Sequence, residues 1–204
     1  LQENGVVSYT EDPEHNLNVG KRQVSLDFSQ FCKFDGLVLD VGCGPQAWPS
    51  HFASYTEATR FVGVDPLVGD APADYTQFRA LAEYLPFRDG VFNHVVFATS
   101  LDHFIDPVPV LIEARRVCHP NGTIDIWIGE KSPDAPKPAQ SPTWYTKLEK
   151  PEGAEDVFHF KRLSAAETDA IIERAGLRVA EREMHEVDQY RSNHFYKLKV
   201  IRES

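Results

Sequence analysis

The stretch Val38–Trp48, VLDVGCGPQAW, decides the fold. A short apolar run ends at Asp40, and Gly42 and Gly44 follow as a tight turn, because glycine takes positive φ and lets the backbone approach a ligand closely. An apolar run of this length, closed by turn residues, reads as a buried strand over Leu37–Val41. The turn is expected to open a helix over Gln46–Thr56, with Pro49 in its first turn. Upstream, residues 1–34 are rich in turn formers, with one short helix expected near Val24–Phe34.

Downstream the same rhythm repeats. Phe61–Asp65, Tyr75–Ala80, His94–Ser100 and Thr123–Gly129 read as strands, and Pro109–Val117 has helical spacing. Ser164–Ala175 is the clearest helix, with Ser164 as N-cap, Glu167 at the capping-box position and Gly176 closing the end. Leu177–His185 and Phe195–Ile201 are the last two strands. With no room for a helix between them, they should pair antiparallel. Strands alternating with helices define an α/β fold, a Rossmann-like three-layer sandwich. Its seven-stranded sheet is mostly parallel with an antiparallel last strand. Residues 1–204 are expected to form a single domain. One segment interrupts the rhythm: residues 132–160 hold five of the 14 prolines together with Trp144 and Tyr145. So long a connection inside a compact domain reads as a lid or substrate insert.

Length and charge narrow the function. The 204 residues carry 21 basic and 31 acidic side chains, a net charge of −10. Residues 1–160 have a net charge of −11 and residues 161–204 of +1. A nucleic-acid or anionic-membrane surface needs a clustered basic face, so neither partner is expected. Cys32, Cys43 and Cys118 are too few for a disulfide framework and fit a reducing, cytoplasmic setting. No apolar run approaches membrane-spanning length. Leu1–Asn18 is polar and acidic, so no signal peptide is expected. The eight histidines show no metal-ligand spacing, and no metal is expected. No feature sets an oligomeric state.

The glycine turn has two chemical readings. Gly42, Gly44 and Ala47 fit the dinucleotide pattern G-x-G-x-x-G/A, and Asp65 at the end of the second strand stands where a carboxylate accepts ribose hydroxyls. That reading gives an NAD-dependent oxidoreductase. Asp40 opposes it, because an anion two residues before the first glycine does not help to receive a pyrophosphate. S-adenosylmethionine (SAM) has no phosphate and carries a sulfonium and an ammonium, which a carboxylate in a partly buried cleft attracts.

The ordered segments VLDVGCGP, FVGVDP, AEYLPFRDGVFNHVVFATSLDHFIDP and LIEARRVCHPNG resemble the class I SAM-dependent methyltransferases, in particular the type-11 group. Relatives carry A-E-x-L-P-F-x-D-x-x-F-D-x-V, then L-x-H-x-x-D-P, then L-x-E-x-x-R-V-L-x-P-G-G. The resemblance covers about Val38–Gly129 well and the C-terminal third loosely. Gln46 replaces the third glycine of the first motif, Leu81 stands where many relatives carry an acid, and Asn121 replaces a glycine. Asn121 still tolerates a left-handed turn.

The resemblance implies a cofactor, SAM, with S-adenosylhomocysteine as product. Asp40, Gly42 and Gly44 would line its methionine end, Asp65 its ribose, Ala82 and Glu83 its adenine, and Ser100 would lie near the methyl. It implies methyl transfer by in-line displacement to a small-molecule acceptor, expected to be an oxygen of a saccharide or secondary metabolite. The protein then supplies alignment and, for a hydroxyl acceptor, a base. His103 is the first base candidate, because it follows the fourth strand on the side where strand ends open. Asp102 would orient an imidazole or bind substrate. His159 is the next candidate, and its alternative role is packing the entry of the helix that begins after Ser164. Glu130, after the fifth strand, is expected to face the pocket. The nucleic-acid amino-methylation signature [DN]-P-P-[FYW] is absent, with Ser100-Leu101-Asp102-His103 in its place. A non-catalytic SAM-fold protein is the further alternative. Substrate selection would fall to the arm of residues 1–35 and to the 132–160 insert.

Overall fold

A computed structural model describes residues 2–12, 23–136 and 141–200. His15, the middle of the N-terminal arm, residues 137–140 of the insert and Ile201 lie outside the described residues. The strands are β1 (Leu37–Val41), β2 (Arg60–Val64), β3 (Thr76–Phe78), β4 (Phe92–Ala98), β5 (Cys118–Lys131), β6 (Leu177–Asp188) and β7 (Arg191–Val200). They form one sheet in the order β3-β2-β1-β4-β5-β7-β6. Strands β1 to β5 pair in parallel, and β7 runs antiparallel to both β5 and β6. The helices are α1 (Gln2–Glu11), α2 (Gln23–Cys32), α3 (Pro107–Val117) and α4 (Ala165–Arg174).

Alternation along each strand divides the core between the two faces of the sheet. Leu39, Val95, Ile124 and Ile126 belong to the cluster that includes Leu111 of α3 and Ile172 of α4. Val38, Val96, Trp127 and Phe195 belong to an aromatic cluster with Phe28 and Phe31 of α2. Helix α4 has its expected cap, and α3 starts at Pro107, two residues before the expected Pro109. Asp106 caps α3 by accepting from Val108 N at 3.0 Å. Ser164 and Glu167 cap α4 with a complete capping box.

Three expectations need correction. Residues 46–56 form turns rather than a helix. Pro49 has no N–H to donate. The aromatic side chains instead draw the segment onto β2: Phe52 stacks on Phe61 at 3.8 Å between ring centroids, and Trp48 meets Phe61 edge-on at 5.5 Å. The N–H groups of Ala53 and Ser54 are taken by Ser29 Oγ of α2 at 3.2 and 2.6 Å, so the segment is satisfied without a helical ladder. At the N-terminus, Gln2–Glu11 is a helix where turns were expected. Pro120-Asn121-Gly122 runs within β5 at a register irregularity, and Asn121 has no left-handed backbone. Gly122 is needed there, because a Cβ would meet Asn93 O at 2.6 Å.

The α4 cap yields two predictions. Ser164→Ala should lower unfolding free energy by about 1 kcal/mol, read from urea denaturation. Glu167 is held down to about 2 by Lys161 and by the N–H and hydroxyl of Ser164. A depressed carboxyl contributes fully above its ordinary 4.5 and loses that contribution as pH falls from 4.5 to about 2. Glu167→Gln should therefore flatten the acid-side fall of stability across that window. An unchanged slope would show that the cap carries no acid-linked stability.

Candidate active site

The C-terminal ends of β1, β2 and β4 open into a cavity of about 1750 Å³. Its floor is the glycine turn. Gly42 has φ 80° and Gly44 φ 62°. The N–H groups of Gly42 and Cys43 donate to Val64 O of β2 at 2.8 and 3.3 Å. Asp65, one residue beyond β2, accepts from Gly44 N at 2.9 Å and from Leu67 N at 2.7 Å. A single carboxylate thus ties the β1 turn to the β2 turn. Burial pushes its pKa up, against the lowering effect of those two N–H donors.

Ser100 lies beside Gly42 and donates to Val41 O at 2.6 Å. Between β4 and Ser100, Thr99 holds φ 57°, an uncommon and strained state for a β-branched residue. Its N–H still completes the ladder to Trp127 O at 2.9 Å. Ala82 and Glu83 line the cavity from the loop after β3. Helix α3 fixes that loop: Glu113 accepts from Leu85 N at 2.9 Å, and Arg116 donates to Leu85 O and Phe87 O at 3.0 and 2.8 Å.

Asp40 differs from its expected place. It is 1% exposed and does not reach the cavity wall. Its Oδ2 lies 3.2 Å from Nε2 of His51, and His51 lines the cavity in its stead. Gly44 is likewise covered, by Tyr9 of α1: a Cβ at Gly44 would collide with the phenol oxygen. Burial first, then the carboxylates of Asp65 and Asp40, push the Tyr9 phenol up to about 12. Burial, reinforced by Asp40, also raises the Cys43 thiol far above its ordinary range. Both groups stay neutral at physiological pH, beneath a field set by two carboxylates.

Asp102, His103 and His159 meet in the same cavity. Asp102 and His103 sit on the turn Leu101–His103 after β4. His159 comes from the far end of the insert and stacks on His103 with centroids 4.4 Å apart. His103 Nδ1 lies 3.0 Å from Phe158 O; a carbonyl only accepts, so Nδ1 carries the proton and Nε2 a lone pair. His159 Nδ1 lies 2.8 Å from Asp156 Oδ1, which fixes its tautomer in the same sense. His103 is open to the cavity, yet the chain around it desolvates the ring. That desolvation is the main cause of its lowered pKa, with Asp102 opposing and His159 adding. Hydrogen bonds from the His159 ring and the Phe158 N–H, aided by the charge of Arg162, outweigh burial and hold Asp156 well below the carboxylate range.

Glu130 does not face the cavity. Its Oε2 lies 3.1 Å from His194 Nε2 and 3.3 Å from Ala165 N at the start of α4. Sequence reasoning missed Tyr9, His51 and Asp156. Only Asp156 had a local signal, three residues before a histidine in DVFHF.

Residues 39–126 match the family described as Methyltransferase domain. An uncharacterised methyltransferase of Schizosaccharomyces pombe is 31% identical over 112 residues, 47% of this chain. The chain spans about 40% of the length of that curated relative. Among solved structures, the 1,6-didemethyltoxoflavin-N1-methyltransferase of Burkholderia thailandensis, with bound 1,6-didemethyltoxoflavin and S-adenosylhomocysteine, aligns with a TM-score of 0.64. The two are 12% identical, over 97% of this chain and 86% of that one. A SAM-dependent methyltransferase of Thermotoga maritima aligns with a TM-score of 0.63 and 17% identity, over 94% of this chain and 97% of that one. These likenesses are of fold. The fold and the matched segment are similar to those of the SAM-dependent methyltransferases.

The turn geometry predicts that Gly42→Ala disables the site. A Cβ there would meet Ser100 Cβ at 2.5 Å on a positive-φ backbone. The variant should lose about 1–3 kcal/mol of stability and most of its nucleoside binding. Wild-type binding in a folded variant would show that the turn can yield.

Proposed function

We propose that this chain is an enzyme that transfers a methyl group from SAM to a small-molecule acceptor by in-line displacement. The observation that carries this reading is the glycine turn clamped by Asp65, with Asp40 buried behind it, in a cavity that also takes in Ala82, Glu83 and Ser100. One carboxylate at the floor and a second buried behind it suit a sulfonium and an ammonium. They do not suit a pyrophosphate, and the turn-rich 46–56 segment presents no helix N-terminus to receive one. When bound, the cofactor supplies an already activated methyl group. Asp65 has lone pairs left for ribose hydroxyls beyond its two backbone bonds. Glu83 and Ala82 flank the adenine, and Ser100 stands near the transferred methyl.

The acceptor is held by the insert, acting as a lid, and by α1. Trp144, Tyr145 and Phe158 line the cavity from the insert. Tyr84 and Ile105 also line it and are 78% and 71% exposed, which is unusual for such side chains. This lining favours a flat, largely apolar metabolite over a saccharide. The Burkholderia neighbour holds a small molecule together with S-adenosylhomocysteine. We assign the same pairing to this cavity. Asp102, His103 and His159 are the polar side of the acceptor site, where Nε2 lone pairs can take the proton of an acceptor hydroxyl. The three cysteines are free and buried, in keeping with a reducing cytoplasm. No helix among the described residues is long and apolar enough to cross a membrane.

Calorimetry separates the readings. S-adenosylhomocysteine should bind saturably, and Asp65→Ala should weaken it at least about tenfold, the 1.4 kcal/mol scale of one lost charged hydrogen bond. Binding of NAD without S-adenosylhomocysteine would overturn the methyltransferase. Binding without turnover of any acceptor in a library of flat phenols and enols would favour the non-catalytic alternative.

A further inference from the structure

The Asp102, His103 and His159 cluster has more donor atoms than a base requires. One imidazole suffices to take a proton. Here two imidazoles and a carboxylate converge, each offering one atom, and these atoms all lie within 4.8 Å of one another. Asp102 Oδ2 and His159 Nε2 are 3.6 Å apart. That is too long for a hydrogen bond. It is about the separation of two ligands that each lie ~2.0–2.2 Å from one tetrahedral ion.

The surroundings of the cluster point the same way. Asp102 is 9% exposed, and among the described residues its carboxylate accepts no hydrogen bond. A carboxylate that lines the cavity with only an imidazole nitrogen at 3.6 Å is placed to meet a cation. Both histidines have their outer nitrogen engaged, His103 with Phe158 O at 3.0 Å and His159 with Asp156 Oδ1 at 2.8 Å. A carbonyl or carboxylate on the second ring nitrogen is the arrangement that orients metal-bound histidine. Asp156 is itself fixed by the N–H groups of Phe158 and His159 and by Arg162 Nε, each at 2.8 Å.

We propose that Asp102 Oδ2, His103 Nε2 and His159 Nε2 form a binding site for a divalent transition ion of the zinc class. Two neutral nitrogens and one carboxylate suit zinc or cobalt better than magnesium, which prefers oxygen. Three protein ligands leave a fourth position open to the cavity, the pattern of a catalytic rather than a structural site. The site stands independently of methyl transfer. If the reading above also holds, an acceptor oxygen displaces water from the fourth position. Its O–H bond then breaks with the proton passing to bulk water, and the ion does the work of the imidazole base. The ion would also fasten the insert to the end of β4, since His159 and His103 come from those two elements.

The test uses the whole chain, stripped with a chelator and titrated with zinc and with cobalt. One ion per chain should bind, and cobalt should give the intense visible absorption of a tetrahedral N/O site. Asp102→Ala and His159→Ala should each weaken binding more than tenfold. Asp156→Ala, which leaves all three ligands in place, should weaken it about 10–100-fold. Circular dichroism checks that each variant folds. Absence of saturable binding to the wild-type chain overturns the site. So does equal binding by the wild type and a folded Asp102→Ala, His159→Ala double variant. Titrating S-adenosylhomocysteine into the same wild-type samples keeps the two readings apart: a chain that binds the ion but not the nucleoside supports this site and overturns the cofactor assignment, and the converse does the reverse.

Discussion

Asp65 accepts the N–H groups of Gly44 and Leu67 at 2.9 and 2.7 Å, and the geometry of the site depends on that bridge. Without it the N–H of Gly44 in the β1 turn and that of Leu67 in the β2 turn would each lose their acceptor, at about 1–3 kcal/mol each. With it, the two turns that form the cavity floor move as one body. The bridge also sets the charge of the floor. Asp65 cannot be replaced by a neutral group without freeing the turn, so a ligand that meets this floor meets an anion. Asp40, buried one strand over against His51, deepens the same field.

The rest of the molecule holds that floor in place and covers it. Parallel pairing of β1 with β2 and β4 brings Val41, Val64 and Ala98 to one edge, so the three turns that follow them share one mouth. The two faces of the sheet are packed differently. One face is aliphatic and closed by α3 and α4, and the other is aromatic and closed by α2 and the turns around Phe52. That aromatic face explains why residues 46–56 do without a helix. Rings at 48, 52 and 55 gain more from Phe61 than a Pro49-interrupted helix would gain from its few backbone bonds.

What could be read from the sequence follows from the range of the interactions. Strands β1, β2 and β4 were legible because a buried parallel strand is a continuous apolar run, and α4 because its cap is written within four residues at Ser164 and Glu167. The glycine turn was legible for the same reason: Gly42, Gly44 and Asp65 follow strand ends at fixed spacing. Helix α1 was not legible, because QENGVVSYTE has no clear apolar stripe and its role depends on Tyr9 reaching Gly44 across the fold. The partnership of Asp40 with His51 was hidden as well, since nothing local links a strand aspartate to a histidine in a turn.

This division by range separates the two halves of the site. Every residue assigned to the cofactor, from Asp40 to Ser100, falls within the matched stretch 39–126. Tyr9, Trp144, Tyr145, Asp156 and His159 fall outside it. A cofactor common to many enzymes demands a fixed floor, and a fixed floor leaves a repeated pattern. The proposed acceptor end is built from α1 and the insert, which join the floor only through tertiary contacts. His103 is the hinge between these halves. It sits in the shared stretch by position, but its tautomer is set by Phe158 and its neighbour is His159, both from the insert. The proposed acceptor end therefore has its polar groups where the matched stretch meets the insert.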